Sequence, residues 1–381
     1  MRRAATGLAI AVALAGLLAA PATAHPRLDS SSPAVGARLE RAPALIVVRL
    51  TEPSQPVGAG ITVTGPGGDT VTHGPVSVAG RVLTRAVDAR ARGTYVVEWQ
   101  VVGDDSHPAA GAFFFGVGSA GGAALPGRGH TGTVIQAIGH WLSLLGYALG
   151  FGIPFAALLS GGMTRRLWRL VTAGIVLMLV AEPVSLLGQT AALTPGRAFD
   201  SGLARDVLQT SYGHVAGLRL GAALALWALA GALRQASPRA QWSIPALGAV
   251  TALAYAEAAH RIEGLPRAVS LVIEALHVAT FGAWLGCVVV AVVGSRSREL
   301  RTPAVLTAIL LVATGAGLAV AHLGVPGDLL DTAYGRALGA KVAFVALALA
   351  LGAASRRRAE LAAGLLALAA ASVLVSLPPP L

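Results

Sequence analysis

The metal-capable side chains of this 381-residue chain gather at a few places. His25 stands directly after Ala22-Thr23-Ala24, and Asp105 and His107 are two residues apart in Asp105-Ser106-His107-Pro108. His140, His214, His260, His277 and His322 lie within or at the ends of long apolar runs. Glu257 and Glu274 precede His260 and His277 by three residues. That helical spacing puts carboxylate and imidazole on one face, as a ligand pair or as a ligand with its hydrogen-bonded support. Glu182, just before Pro183, is a further acid in apolar surroundings. Ionisable groups at such depth are costly, which makes each a candidate for function. With Cys287 the one cysteine, an intrachain disulfide and a Cys-based zinc or iron–sulfur site are excluded.

Residues 1–24 have the form of a signal peptide: Arg2 and Arg3, the apolar run from Leu8 to Ala20, then the small-x-small end at Ala22-Thr23-Ala24. An uncleaved anchor is the other reading, although the run is short for a membrane span. Cleavage after Ala24 would make His25 the N-terminus and let its α-amine and imidazole Nδ1 chelate one ion. Pro26 has no amide proton, so a deprotonated backbone nitrogen is not available there and further donors have to come from the fold. Asp105 and His107, in a turn after an expected strand, are the source. Nitrogen donors with one carboxylate in a tetragonal array suit Cu(II), which stands highest in the Irving–Williams order. Alone, an Asp-x-His would equally describe a solvated turn. A processed N-terminal histidine favours the metal site.

The elements that position these residues divide the chain in two. From His25 to about Ser119, short alternating segments broken by Gly and Pro predict strands at Ala44–Leu50, Gly60–Thr64, Arg81–Val87, Thr94–Val102 and Ala112–Val117. Their spacing predicts a small Greek-key β-sandwich over residues 25–118. Residues 119–132 read as a Gly/Ala/Pro-rich linker. His73 reads as a surface residue and His130 as part of the linker.

Over residues 133–381 eight apolar runs of membrane-spanning length follow: Thr133–Leu159, Leu167–Gln189, Tyr212–Leu233, Trp242–Ala259, Ala268–Val293, Pro303–Leu323, Gly335–Ala354 and Leu361–Leu377. A composition 55% hydrophobic and 12% charged, with a mean hydropathy of +0.68, agrees that most of the chain sits in lipid. The fold class expected is thus an all-β sandwich followed by an all-α polytopic bundle of about eight helices. The net charge of +11 does not indicate nucleic acid, because the arginines lie in short loops between apolar runs. Those at 165, 166 and 169, at 234 and 239, at 296, 298 and 301, and at 356 to 358 fall in alternate loops. The positive-inside rule makes these loops cytoplasmic and places the β-domain and the C-terminus outside the plasma membrane. The histidines then fall in the outer half or near mid-depth. His214, His260 and His322, near run ends, read equally well as interfacial groups, whereas Glu274 and His277 lie deeper.

Two resemblances accompany these residues. His25-Pro26-Arg27-Leu28, Ser32-Pro33-Ala34, Leu50-Thr51-Glu52-Pro53, Val97-Glu98-Trp99-Gln100-Val101-Val102 and Asp105-Ser106-His107-Pro108 ahead of Gly111-Ala112-Phe113-Phe114-Phe115 resemble the CopC copper-binding domains. That resemblance implies a cupredoxin-like sandwich with His25, Asp105 and His107 as Cu(II) ligands. Ser106 stands where the family usually has Gly. With no methionine between Met1 and Met163, the Met-rich Cu(I) site of some members is absent. Thr210-Ser211-Tyr212-Gly213 with Arg219-Leu220, His277 with Trp284-Leu285-Gly286, Thr332-Ala333-Tyr334-Gly335-Arg336 with Lys341, and Val375-Ser376-Leu377-Pro378-Pro379-Pro380 are similar to the CopD inner-membrane copper proteins. Cys287 replaces the usual second Gly there. This second resemblance implies copper uptake or resistance.

The function expected is non-enzymatic: capture of Cu(II) outside the membrane and transport of copper across it, inward, with His140, Glu182, His214, Glu257, His260, Glu274, His277 and His322 as the candidate membrane path. Copper in that path is Cu(II) or Cu(I). Partners expected are the copper ion, the bilayer and an extracytoplasmic copper chaperone. Copper sequestration without transport, and a membrane haem or copper oxidoreductase, are the alternatives. No P-loop or phosphorylated-Asp motif supports ATP-driven pumping. The topology predicts that a reporter fused after Leu381 is active only if it works outside the cytoplasm, and a signal from a cytoplasmic reporter would mean a crossing number different by one.

Overall fold

The computed structural model describes residues 26–118, 131–194, 199–257, 265–294, 298–322 and 328–377. The expected signal peptide, His25, most of the linker and His260 lie outside the described residues. Two compact units are present: residues 26–118 together with 131–133 and the described part of 186–214, and the remaining described residues from 134 onward.

In the first unit two four-stranded sheets pack face to face, as the alternating pattern predicts. Strands β1 (Leu28–Ser32), β3 (Leu45–Leu50), β6 (Val82–Val87) and β5 (Thr72–Ala79) form one sheet in the order β1-β3-β6-β5. Strands β2 (Arg38–Leu39), β8 (Pro108–Val117), β7 (Gly93–Gly103) and β4 (Ser54–Thr64) form the other in the order β2-β8-β7-β4. Ile46, Val48 and Leu50 of β3 meet Ile61 and Val63, Tyr95, Val97, Trp99 and Val101, and Phe113 and Phe115 between the sheets. Each residue between them on its strand faces outward. Trp99 fits because position 111, its register partner across β7 and β8, is glycine: a Cβ there would lie 2.5 Å from the indole. The five expected strands are all present. Strands β1, β2 and β5 were not expected, because they lack apolar alternation. They are polar or Pro-containing segments at sheet edges, where pairing with one neighbour suffices.

Helices follow as α1 (Thr131–Tyr147), a π-helical turn (Ala148–Gly152), α2 (Ile153–Leu159), α3 (Arg165–Leu193), α4 (Ser201–Leu208), α5 (Ser211–Ala232), α6 (Pro238–Gln241), α7 (Ser243–Ala256), α8 (Arg267–Gly294), α9 (Arg301–His322), α10 (Asp328–Asp331), α11 (Ala333–Ala353) and α12 (Arg357–Val375). Seven spans among the described residues are long and apolar enough to cross a membrane, α1 with α2 counting as one. The remaining expected run, Trp242–Ala259, contributes α7, whose 14 residues rise about 21 Å, short of a hydrocarbon core of about 30 Å. Pro183 does not end α3, which runs on for ten residues to Leu193.

In the second unit α8 is the central element, packing against α2, α7, α9, α12 and the π-helical turn. Its approach to that turn depends on glycine. A Cβ on Gly152 would overlap the carbonyl oxygen of Gly282, and one on Gly286 would overlap the carbonyl of Gly152. Gly286 of the Trp284-Leu285-Gly286 motif is thus a packing residue. Gly286→Val is expected to cost at least the roughly 1–3 kcal/mol of an overpacked core and to lower the thermal midpoint of the purified protein. Gly339→Ala, at a position with nothing within 4 Å of the added Cβ, is expected to leave it unchanged or raised.

Candidate metal centre

Strands β7 and β8 pair without interruption from Gly93–Val117 to Val102–Pro108, so the chain reverses between Gly103 and His107. Gly103 N donates to the His107 carbonyl at 2.9 Å and Ser106 N to the Gly103 carbonyl at 3.0 Å, closing the turn. Ser106 takes the left-handed conformation, with φ of +68°, which accounts for glycine being the usual residue there. The turn points its two candidate ligands at each other. Asp105 Oδ1 accepts from His107 N at 3.0 Å, which fixes the carboxylate, and Asp105 Oδ2 lies 3.2 Å from His107 Nδ1. Both residues are buried, at 5% and 4% exposure. Donors on adjacent corners of a square-planar ion with bonds of about 2 Å are about 2.8 Å apart, so the 3.2 Å between Asp105 Oδ2 and His107 Nδ1 is already close to the spacing of two ligands of one ion.

Around Gly103 the surroundings are crowded. A Cβ at that position would meet Asp105 Oδ1 at 2.6 Å, Pro26 Cγ at 2.9 Å and Glu52 Oε1 at 3.0 Å. Pro26 is itself buried, and the chain after it is tied down, with Arg27 N donating to Thr51 Oγ1 at 3.0 Å and Thr51 N to the Arg27 carbonyl at 2.9 Å. Glu52 and Gly103 thus adjoin the candidate ligands although no spacing rule singles them out. The one available signal was the Thr51-Glu52-Pro53 segment. His73 is exposed, as expected.

Among the described residues the membrane candidates do not form one cluster. Among the described residues no three His, Cys, Asp or Glu side chains are grouped to hold a metal ion. Glu274 and His277, three residues apart on α8, are not hydrogen-bonded to each other: the ring of His277 faces Thr314 and Lys341 instead. Glu257 Oε2 pairs with Arg267 at 3.0 Å, and Glu274 Oε2 lies 3.9 Å from the same guanidinium. His260 lies outside the described residues. Glu182 is buried on α3, where Arg219 of α5 is the charge that acts on it. Arg219 in turn stacks over the Tyr255 ring at 5.1 Å. His214 is exposed near the start of α5.

Three of these histidines share one feature that the sequence could not show. His277 Nδ1 lies 2.9 Å from Thr314 Oγ1, whose own proton goes to the Leu310 carbonyl at 2.7 Å. Thr314 therefore accepts, His277 carries its proton on Nδ1, and the basic Nε2 faces Lys341 Nζ at 3.5 Å. His140 Nδ1 lies 3.0 Å from Ser376 Oγ, which donates to the Ser372 carbonyl, and His322 Nδ1 donates to the Leu318 carbonyl at 2.7 Å. Each ring thus holds Nδ1–H in a fixed hydrogen bond and keeps Nε2 as its basic nitrogen, the arrangement found in metal-ligating histidines. Cys287 is buried in the core of the second unit, away from such groups.

A β-sandwich with a buried Asp-x-His turn, followed among the described residues by seven helical spans long and apolar enough to cross a membrane, is the make-up of a multi-pass membrane protein with a β-sandwich domain. Residues 28–118 match the CopC domain, residues 131–264 the copper resistance protein D-like N-terminal domain, and residues 297–372 copper resistance protein D. The copper transport protein CutJ of Bacillus subtilis (strain 168) is 26% identical over 410 residues, covering 94% of this chain and 75% of that protein. Copper resistance protein C of Pseudomonas syringae pv. tomato is 36% identical over 113 residues, covering 26% of this chain and 86% of that protein. The crystal structure of PcoC, a methionine-rich copper resistance protein from Escherichia coli, aligns at 28% identity over 25% of this chain and 99% of that one, with a TM-score of 0.21. The chain belongs to the copper resistance and transport family that joins CopC and CopD domains. None of the matched descriptions names a catalytic activity.

Gly103→Ala places a methyl group against Asp105, Pro26 and Glu52 at once. It is expected to weaken Cu(II) binding about 10- to 100-fold while the sandwich stays folded, measured by competition titration alongside circular dichroism.

Proposed function

We propose that the sandwich captures Cu(II) outside the cell membrane through His25, Asp105 and His107, and that the helical domain carries copper inward along its histidines. The observation that supports this most directly is the convergence at Gly103, where Pro26 and Asp105 approach one point. The residue bonded to Pro26 is one peptide, about 3.8 Å, away, so an N-terminal His25 has its amine and imidazole within reach of the Asp105–His107 pair. Nitrogen and carboxylate donors suit Cu(II). The sandwich also has no methionine to offer a softer Cu(I) site, unlike the methionine-rich relative. Because the described membrane candidates are separate, copper moves by single-histidine steps, and at His140, His277 and His322 the hydrogen bond on Nδ1 leaves Nε2 to take the ion. The outward-facing donors favour import.

Adding one residue ahead of His25 separates the α-amine from the imidazole chelate. It is expected to weaken Cu(II) binding by about tenfold or more, with comparable losses for Asp105→Ala and His107→Ala. Unchanged affinity in the extended protein overturns the site. His277→Ala is expected to leave that affinity intact and to abolish gene-dependent copper accumulation, and parent-like accumulation would assign the membrane histidines to structure alone.

A further inference from the structure

The Asp105–His107 turn is gripped from outside the sandwich, within its own unit. Gln189 Nε2, near the end of α3, donates to the Ser106 carbonyl at 3.1 Å. Ser211 Oγ, at the start of α5, donates to the Gly103 carbonyl at 2.7 Å. A third bond, from Gly58 N to the Asp206 carboxylate at 3.1 Å, fastens α4 to β4. The first two act on the backbone of the turn itself, one between the candidate ligands and one where the turn opens.

Beside this grip are two buried polar atoms with no hydrogen bond among the described residues, Ser106 Oγ and Gln189 Oε1. Their residues are 4% and 5% exposed. Packing alone would favour apolar side chains there, since buried polar atoms are ordinarily partnered. A hydrated cation supplies the complement, because its bound water donates to oxygen. One helical turn beyond Ser211 stands His214, on a neighbouring line of the α5 surface. Its imidazole is exposed, and no hydrogen bond or ion pair among the described residues engages it.

We propose that Gln189 and Ser211 are positioning residues for the copper turn and that His214 is the first nitrogen to receive the ion when it leaves Asp105 and His107. The proposal rests on reading that turn as the Cu(II) site. The transfer is a ligand exchange: a His214 nitrogen bonds to the ion as a turn ligand lets go, with no change of oxidation state. Two hydrogen bonds to the turn backbone hold donor and acceptor in register. Ser106 Oγ and Gln189 Oε1 hold the water that the ion keeps during the step.

The test uses the full-length protein in lipid nanodiscs with one equivalent of Cu(II), read by electron paramagnetic resonance, together with copper accumulation in cells expressing each variant. Ser211→Ala and Gln189→Leu are expected to shift the hyperfine splitting of the turn-site signal, and Ser211→Thr, which keeps the hydroxyl, to restore it. His214→Ala and His214→Gln are expected to leave that signal unchanged and to cut accumulation about tenfold or more. Parent-like accumulation in both His214 variants overturns the hand-over, as does an unshifted signal in both Ser211→Ala and Gln189→Leu. A parent protein with no nitrogen-coordinated Cu(II) signal overturns the site itself, which separates the two failures.

Discussion

A polar group removed from water has to find a partner or cost several kcal/mol, and this constraint organises both units. In the helical unit it explains why the histidines and acids of apparently similar position have parted company. Arg267 bonds Glu257 at 3.0 Å and stands 3.9 Å from Glu274, while hydroxyl and carbonyl oxygens of neighbouring turns and helices take the Nδ1 protons of His140, His277 and His322. Satisfying one nitrogen fixes the other. The same bonds that make an imidazole tolerable among apolar helices also orient the nitrogen able to bind a metal.

In the sandwich the constraint acts through the hairpin. Ten consecutive register pairs between β7 and β8 leave little freedom to the turn that joins them, and the Tyr95–Phe115 stack, 5.2 Å between centroids, anchors its far end. Rigidity of this kind is what a metal site needs, since ligand orientation is then set before the ion arrives. Gly103 allows Pro26, Glu52 and Asp105 to crowd one point, so the start of the described chain and the turn 80 residues later become neighbours. Carboxylate and imidazole buried at 3.2 Å are mutually stabilising only with a proton or a metal ion between them.

Donor chemistry and family agree. The described sandwich offers oxygen and nitrogen and no sulfur, and the single thiol of the chain is enclosed in the core of the other unit. Which oxidation state of copper a site favours depends on whether oxygen and nitrogen or sulfur donors line it.

The sequence by itself determined the two-part architecture, because apolar alternation at period two and unbroken apolar runs are direct consequences of what each part buries. It also singled out Asp105 and His107, whose spacing in a short turn brings them together whatever the rest of the chain does. Edge strands β1, β2 and β5 were illegible because an edge can be polar on both faces. The pairing of Glu257 with Arg267, the alignment of Thr314 and Lys341 on His277, and the approach of Pro26, Glu52, Gln189 and Ser211 to one turn were decided by tertiary structure alone. Local spacing fixes which side chains share a face, but only the packing of distant segments decides which partner reaches a buried polar group first, and in a low-dielectric interior that partner sets its chemistry.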